Sequence, residues 1–226
     1  FGKDYFTVAY DQRGYNTSVK FKKQSYKMDF LIEDVKKVVE HYNGQKIVLV
    51  AHDWGGIIAY HFTETYPELV DKLVIINAPH FLAWKSKMTK SLFQGLKSWY
   101  VFFFQIPWVP ELVARCGGLR FLMWFSSNKG TFKDLSLHKK AWKQPRAIKG
   151  MLGWYRNVFN YKPEKKITNT ETLLIWGRND VALGISMIAA NKEYFPNTTV
   201  HLIEQGSHWV AHEYPEEVNE TINSFL

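Results

Sequence analysis

The sequence predicts an α/β fold, a doubly wound and mostly parallel sheet into which a helical cap is inserted. Short apolar runs typical of strands alternate with stretches whose apolar residues recur at helical spacing. The run "KIVLVA" (46–51) is nearly continuous in β-branched and aliphatic residues, which predicts a strand buried on both faces of a parallel sheet. Composition changes sharply over residues 81–163, which indicates a separate inserted segment.

The elements follow one another in a regular order. Strands are predicted at "YFTVAY" (5–10), "KIVLVA", "KLVIINAP" (72–79), "TLLIWG" (172–177) and "TVHLIE" (199–204). Helices are predicted at "FLIEDVKKVVEHY" (30–42), "GIIAYHFTETYP" (56–67), "ISMIAANKEYF" (185–195) and "EEVNETINSFL" (216–226). Asp29 is the expected N-cap of the first helix, and Pro67 is expected to end the second.

The inserted segment differs from the rest of the chain in charge. Residues 81–163 carry 15 basic and 2 acidic side chains, a net charge of +13, whereas the whole chain carries +8. The segment is also dense in Trp, Phe and Tyr, so residues 81–163 are predicted to form the cap and residues 1–80 and 164–226 the core. Such a cap could lie on an anionic membrane surface, steer carboxylate-bearing substrates, or be a solvated basic face.

Several classes of protein are disfavoured by what the sequence lacks. No run approaches the roughly 18 apolar residues that a membrane-spanning helix needs. The single cysteine, Cys116, cannot form an internal disulfide. There is no Cys/His spacing typical of a metal site and no phosphate-binding glycine loop, so neither a metal nor a cofactor is expected.

A candidate nucleophile follows the "KIVLVA" strand. The segment Ala51-x-Asp53-x-Gly55-Gly56 has the small-x-nucleophile-x-small pattern of a sharp strand-to-helix turn, with an acid as the central residue. Small residues are needed there because strand and helix approach closely, and a helix N-terminus favours an anion. Taken alone, Asp53 could equally be a helix cap or a chance match.

Two further polar groups strengthen the interpretation. Asp180 follows the strand "TLLIWG", and His208 follows "TVHLIE". The chain order is therefore nucleophile, acid and histidine, with each group just beyond the carboxyl end of a strand, where open α/β sheets form their sites.

The choice of an acid as nucleophile restricts the substrate. A serine that attacked an sp3 carbon would leave a stable ether, whereas a carboxylate leaves an ester that histidine-activated water can hydrolyse. Epoxides and alkyl halides are therefore the expected substrates. Tyr100 and Tyr155 of the cap could donate O–H groups to an opening epoxide, or they could be ordinary core aromatics.

Five motifs together resemble the epoxide hydrolases of the α/β-hydrolase fold: "DQRGY", "AHDWGG", "WYRN", "WGRND" and "GSHW". The stretch "YVFFFQIPWVPE" is especially similar to the vertebrate membrane-anchored branch. The resemblance implies Asp53 as nucleophile, Asp180 and His208 as the water-activating pair, and Tyr100 and Tyr155 as cap tyrosines. It also implies that the backbone N–H of Trp54 lies in the oxyanion hole.

The resemblance further implies a lipid or other hydrophobic epoxide as substrate and a vicinal diol as product, without cofactor or nucleic acid. Cytoplasm and endoplasmic reticulum membrane both remain compatible locations. The family's upstream H-G-x-P segment, which supplies a second oxyanion donor on a central strand, has no counterpart here. We therefore expect upstream strands, and any anchor or signal, to precede Phe1. A dehalogenase and an inactive binding protein of the same fold remain alternatives.

Overall fold

The computed structural model describes residues 2–20, 26–42, 44–128, 131–132 and 134–226. A sheet of four parallel strands organises the fold, in the spatial order β1-β2-β3-β4. The strands span Ile47–His52 (β1), Val70–Ile76 (β2), Glu171–Gly177 (β3) and Thr198–Ile203 (β4).

Helices connect successive strands and cover both faces of the sheet. The first two helices are α1 (Met28–His41) and α2 (Trp54–Thr65). Between β2 and β3 lie α3 (Phe81–Lys90), α4 (Leu92–Lys97), α5 (Trp99–Phe103), α6 (Val109–Val113), α7 (Leu119–Ser126), α8 (Ser136–Trp142) and α9 (Ala147–Asn157). The chain continues through α10 (Ser186–Asn191), α11 (Val210–Glu213) and α12 (Pro215–Phe225).

Two buried clusters fill the space on either side of the sheet. The larger contains apolar residues of α1, α2, α3 and α10, among them Leu31, Ile58 and Phe62. The smaller packs Val218 and Ile222 of α12 against alternate residues of β2 and β3. Because side chains of a strand alternate between faces, each central strand contributes to both clusters, as a doubly wound sheet requires.

Most predicted elements are confirmed, and three details were wrong. Residues 5–10 form no strand, since no other described strand lies beside them to accept their hydrogen bonds. Among the described residues, β1 is the outermost strand of the sheet; most of its residues are half-buried rather than buried, and Val50 is exposed. Asp29 lies in the first turn of α1, whose N-cap position belongs to Lys27.

Within the described ranges, none of the helices combines the length and the apolar character needed to cross a bilayer.

Candidate active site

Asp53 occupies a sharp turn between β1 and α2. Its backbone has φ 51° and ψ −124°, a conformation that side chains with a Cβ rarely adopt, so the turn is strained. A Cβ on Gly56 would lie 2.4 Å from the Cβ of Ala78, which explains why a glycine is needed where α2 crosses β2. The Asp53 side chain remains 38% exposed, so the carboxylate is accessible from the strand ends.

The predicted acid and histidine lie beside Asp53. His208 Nε2 is 3.5 Å from Asp53 Oδ1, and His208 Nδ1 is 2.7 Å from Asp180 Oδ2. The Asp180 side chain is fully buried, and its Oδ1 accepts hydrogen bonds from the backbone N–H groups of Ala182 and Leu183, each at 2.8 Å. One histidine therefore bridges two carboxylates, with one nitrogen directed at each.

The electrostatics of the three groups are coupled. Burial favours the neutral form of each group, but mutual attraction outweighs it. The hydrogen bond and charge of His208 lower the pKa of Asp53, and the charge and hydrogen bond of His208 also lower the pKa of Asp180. Asp180 and Asp53 in turn raise the pKa of His208. In the free protein the triad thus holds two carboxylates and an imidazolium.

Two polar residues that sequence reasoning missed hold this arrangement. Asn77, fully buried at the end of β2, donates from Nδ2 to Asp180 Oδ2 at 2.8 Å and accepts the N–H of Gly177 at 3.1 Å. His52 Nε2 is 2.8 Å from the carbonyl oxygen of His208. Burial lowers the pKa of His52 to about 4, so its neutral ring donates to that carbonyl and fixes the loop that carries His208.

Tyr100 and Tyr155, both from the inserted segment 81–163, lie near enough to the triad to feel the charge of Asp53. Their ring centroids are 6.0 Å apart, and the Tyr155 ring lies 5.1 Å from that of Trp54. Burial, with the nearby charge of Asp53, raises the pKa of both phenols, which keeps them protonated as O–H donors. Tyr15 is a third phenol whose pKa is raised by burial and by Asp53. Its position in "DQRGY" was the only sequence signal for it.

Helix α9, which carries Tyr155, is seated directly on the loop that carries Tyr15. A Cβ on Gly150 would lie 2.4 Å from the carbonyl oxygen of Gly14, so the two backbones touch where neither residue has a side chain. Trp154 Nε1 donates to the carbonyl of Arg13 at 3.0 Å. Inside the cap, Gln105 Nε2 donates to the carbonyl of Tyr155 at 2.9 Å. These contacts fix Tyr155 relative to Asp53.

The predicted oxyanion donor, the backbone N–H of Trp54, is next to Asp53. Trp54 is the first residue of α2, where backbone N–H groups have no acceptor inside the helix. Its N–H is near enough to the Asp53 carboxylate to help to lower the pKa of that group.

A second link between cap and sheet passes through Glu213 of α11. Its two carboxylate oxygens accept five hydrogen bonds: from Ser207 N (2.8 Å), Ser207 Oγ (2.5 Å), Asn128 N (2.8 Å), Asn128 Nδ2 (3.1 Å) and Thr131 Oγ1 (2.9 Å). Because Ser207 precedes His208, Glu213 ties the histidine loop to the residues that follow α7. No sequence pattern pointed to Glu213.

Within the part of the chain that the structure describes, one cluster offers donor atoms that a metal could use. His61, Glu64 and His80 place their donor atoms within 4.8 Å of one another. His61 Nδ1 is 2.6 Å from Glu64 Oε2, and His80 Nε2 is 3.1 Å from Glu64 Oε1. His80 caps α3, and the ring of Tyr161 packs on His61. These contacts satisfy Glu64 without an ion and fasten both ends of the segment 81–163 to α2.

The sequence profile of the α/β-hydrolase fold matches residues 1–215. The chain belongs to the α/β-hydrolase-fold family.

Within that family it is similar to proteins named epoxide hydrolases. It is 36% identical to human epoxide hydrolase 4 over 239 aligned positions and 37% identical to epoxide hydrolase 1 of Caenorhabditis elegans over 241. These alignments include the whole chain but only 66% and 59% of the respective relatives, so the chain spans about three fifths of their length.

The chain is also similar to a solved structure of an epoxide hydrolase. A point mutant of an epoxide hydrolase from Bacillus megaterium, complexed with its product (R)-3-[1]naphthyloxy-propane-1,2-diol, superimposes with a TM-score of 0.86 at 31% identity. The match covers 95% of this chain and 81% of that one.

Proposed function

We propose that the protein is an epoxide hydrolase that adds water to an oxirane through a covalent ester on Asp53. The observation that supports this most strongly is a carboxylate, rather than a hydroxyl, at the strained turn, beside an imidazole held by a second carboxylate. When a carboxylate attacks an sp3 carbon it forms an ester, and such an imidazole can activate the water that hydrolyses this ester. Phenols opposite Asp53 favour an epoxide over an alkyl halide, because an alkoxide leaving group needs O–H donors.

In the first half-reaction, Asp53 attacks one oxirane carbon and the C–O bond to that carbon breaks. The oxygen that is released takes a proton from Tyr155 or Tyr100. Both phenols have raised pKa values and are therefore protonated beforehand, and an alkoxide is a stronger base than a phenolate. The product is a hydroxyalkyl ester of Asp53.

In the second half-reaction, His208 removes a proton from water, which attacks the ester carbonyl of Asp53. Ester formation removes the negative charge of Asp53, one of the causes that raise the pKa of His208. The imidazolium can then lose its proton, which restores the phenol of Tyr155 or Tyr100, and the neutral ring acts as the base. Asp180 holds the ring and stabilises its charged form. The N–H of Trp54 stabilises the tetrahedral oxyanion, whose collapse releases the diol.

The walls of the site favour hydrophobic epoxides. The rings of Trp54 and Phe104 both lie edge to face with the ring of Tyr155, at centroid separations of 5.1 and 4.8 Å respectively. An aryl or alkyl substituent would find apolar contacts there. We place lipid epoxides in the same class, and the basic, aromatic segment 81–163 would act as a cap that brings the protein to a membrane surface where such compounds dissolve.

The test is diol formation by the full-length protein from the 1-naphthyl ether of glycidol and from an epoxy fatty acid. We expect turnover of at least one epoxide, and loss of roughly 10⁴-fold or more of the rate in Asp53→Asn. Asp71→Asn, which removes an exposed carboxylate from β2, is the matched control and should retain the activity. Turnover of chloroalkanes but not epoxides would replace the proposal with a dehalogenase, and turnover of neither would reject it.

A further inference from the structure

A cationic hollow lies on the cap, away from the triad, between α6–α7 and α8–α9. Its lining is dominated by six basic side chains: Arg115, Arg120, Lys139, Lys143, Arg146 and Lys149. No carboxylate is among its lining residues in the described part of the chain. A second hollow shares Arg120 and Gly117 with it and is lined by Phe121 and Trp124. The cationic and aromatic surfaces are thus continuous.

Little inside the cap neutralises these charges. Glu111 and Asp134 are the only acidic residues of segment 81–163. Glu111 accepts two hydrogen bonds from the guanidinium of Arg156, at 2.6 and 2.9 Å. Asp134 accepts from the backbone N–H and the hydroxyl of Ser136. Glu111 also interacts with Lys149, and Asp134 with Lys139, two of the six cations. The six cations outnumber these two acids, so the hollow keeps a net positive field.

Large apolar side chains project from α7, which lines both hollows, and from α6, which precedes it in the chain. Trp108, at the start of α6, is 80% exposed, and Trp124 of α7 is 62% exposed. Trp108 has φ 63°, a left-handed conformation that is unusual for a bulky residue. Leu112, Phe121 and Phe125 are also exposed. Exposed tryptophan and phenylalanine beside lysine and arginine are the combination that proteins use at the interface of an anionic bilayer.

We propose that this surface, called here the docking face and formed by the six cations with Phe121, Trp124 and Phe125, binds anionic phospholipid bilayers. The cations contact the lipid phosphates and carboxylates, and the aromatic side chains enter the headgroup region. An anionic bilayer matches both the positive charge and the exposed aromatic rings of the docking face, whereas a neutral bilayer would match only the rings. The inference specifies the membrane association proposed above and is independent of the reaction.

Cys116 provides a probe, because it is exposed and lies between Arg115 and Gly117 of the hollow. The full-length protein is labelled there with the environment-sensitive fluorophore NBD and mixed with phosphatidylcholine vesicles, with or without roughly one third phosphatidylserine. A second sample carries the label on α12, in a Cys116→Ser, Glu220→Cys variant. This sample reports whether the sheet region also enters the bilayer or is merely brought near it by another part of the protein.

The proposal expects a blue shift at Cys116 with anionic vesicles only, weakened by salt, and no shift for the label on α12. Arg120→Glu with Lys143→Glu should reduce the partitioning of the labelled cap by about tenfold or more. Reversal of two exposed lysines of the core, Lys166→Glu with Lys192→Glu, should reduce it far less. Trp124→Ala should shrink the blue shift at Cys116 while diol formation in solution is retained.

Three results would overturn the proposal. The first is a Cys116 spectrum that no vesicle changes. The second is an equal shift with neutral vesicles, which would make the cations irrelevant. The third is a shift that appears without vesicles and grows with protein concentration, which would assign the face to a second copy of the chain.

Discussion

The sheet region and the inserted segment differ in how completely their polar and apolar groups are partnered. In the sheet region, β2 and β3 are largely buried, and Asp180 and His208 are held by specific hydrogen bonds. The segment 81–163 carries +13 and leaves many large apolar side chains in solvent, whereas the rest of the chain carries a net −5. From this comparison we infer that Asp53 and His208 depend on the strand ends, while the inserted segment would contribute two phenols through a few contacts. Mutations in the inserted segment and mutations at the strand ends should therefore slow different steps of the proposed reaction.

The largest expected effect of this kind is that of Tyr155→Phe. The ring contacts with Trp54 and Phe104 survive, but the O–H donor is lost, so formation of the Asp53 ester should slow by about 10²–10³-fold. Hydrolysis of an ester already formed should change little. Rapid-quench single turnovers measure both steps, with Tyr161→Phe as a matched cap phenol beside Glu64 rather than Asp53. Equal slowing of both steps would mean that the cap also supports the base.

Glu213→Gln tests the contact that joins the two regions. A carboxamide keeps one acceptor oxygen, so it cannot accept all five hydrogen bonds from Ser207, Asn128 and Thr131. We expect ester hydrolysis to slow roughly tenfold as the His208 loop loosens, and the free energy of unfolding to fall by about 1–3 kcal/mol. Glu216→Gln, an exposed residue of α12, is the control for loss of one negative charge. An unchanged hydrolysis rate would show that the cap contact does not position His208.

Glu64 should affect stability rather than chemistry, because it lies eleven residues beyond Asp53, about 16 Å along α2. Burial would raise the pKa of Glu64, but hydrogen bonds from His61 and His80 lower it to about 2. Because the folded-state pKa is lowered, the stabilisation is complete above the unfolded value near 4.5 and is lost as the pH falls towards 2.

Glu64→Gln should therefore cost on the order of 3 kcal/mol in unfolding free energy at pH 7 and little at pH 2. Denaturant titrations across this pH range measure the difference between the two proteins. A constant difference at all pH values would show that packing, rather than the charge of Glu64, fastens the ends of the inserted segment.

The sequence predicted the polar residues at the strand ends better than the residues that hold them in place. Asp53, Asp180 and His208 were found because each follows a strong apolar run, and carboxyl ends of parallel strands converge at one edge. Asn77 also follows a strand, but one asparagine at a strand end has many ordinary roles, so it was not singled out. The partners of Glu213 lie far away in sequence, and no local pattern reveals such contacts.

The exposure of Val50 on β1 was missed for a related reason. A continuous β-branched run is typical of a doubly buried strand, yet burial depends on what packs on each face of the sheet, and the run itself carries no such information. Residues 5–10 have strand-like composition but no neighbouring strand among the described residues, and a strand cannot form alone. The local pattern thus shows that a segment is able to form a strand, and the presence of a neighbouring strand decides whether it forms one.

The covalent ester on Asp53 is the central claim, and trapping it is the most direct test. In His208→Gln the ester should form but persist, because no base activates the water. Intact mass spectrometry after incubation with the 1-naphthyl ether of glycidol should show an increase equal to one epoxide, mapped to the peptide that contains Asp53. His201→Gln, a half-buried histidine of β4 paired with Glu217, should turn over without accumulating an adduct. If full-length wild-type protein forms diol while His208→Gln gives no adduct, or gives one at another residue, the account is contradicted.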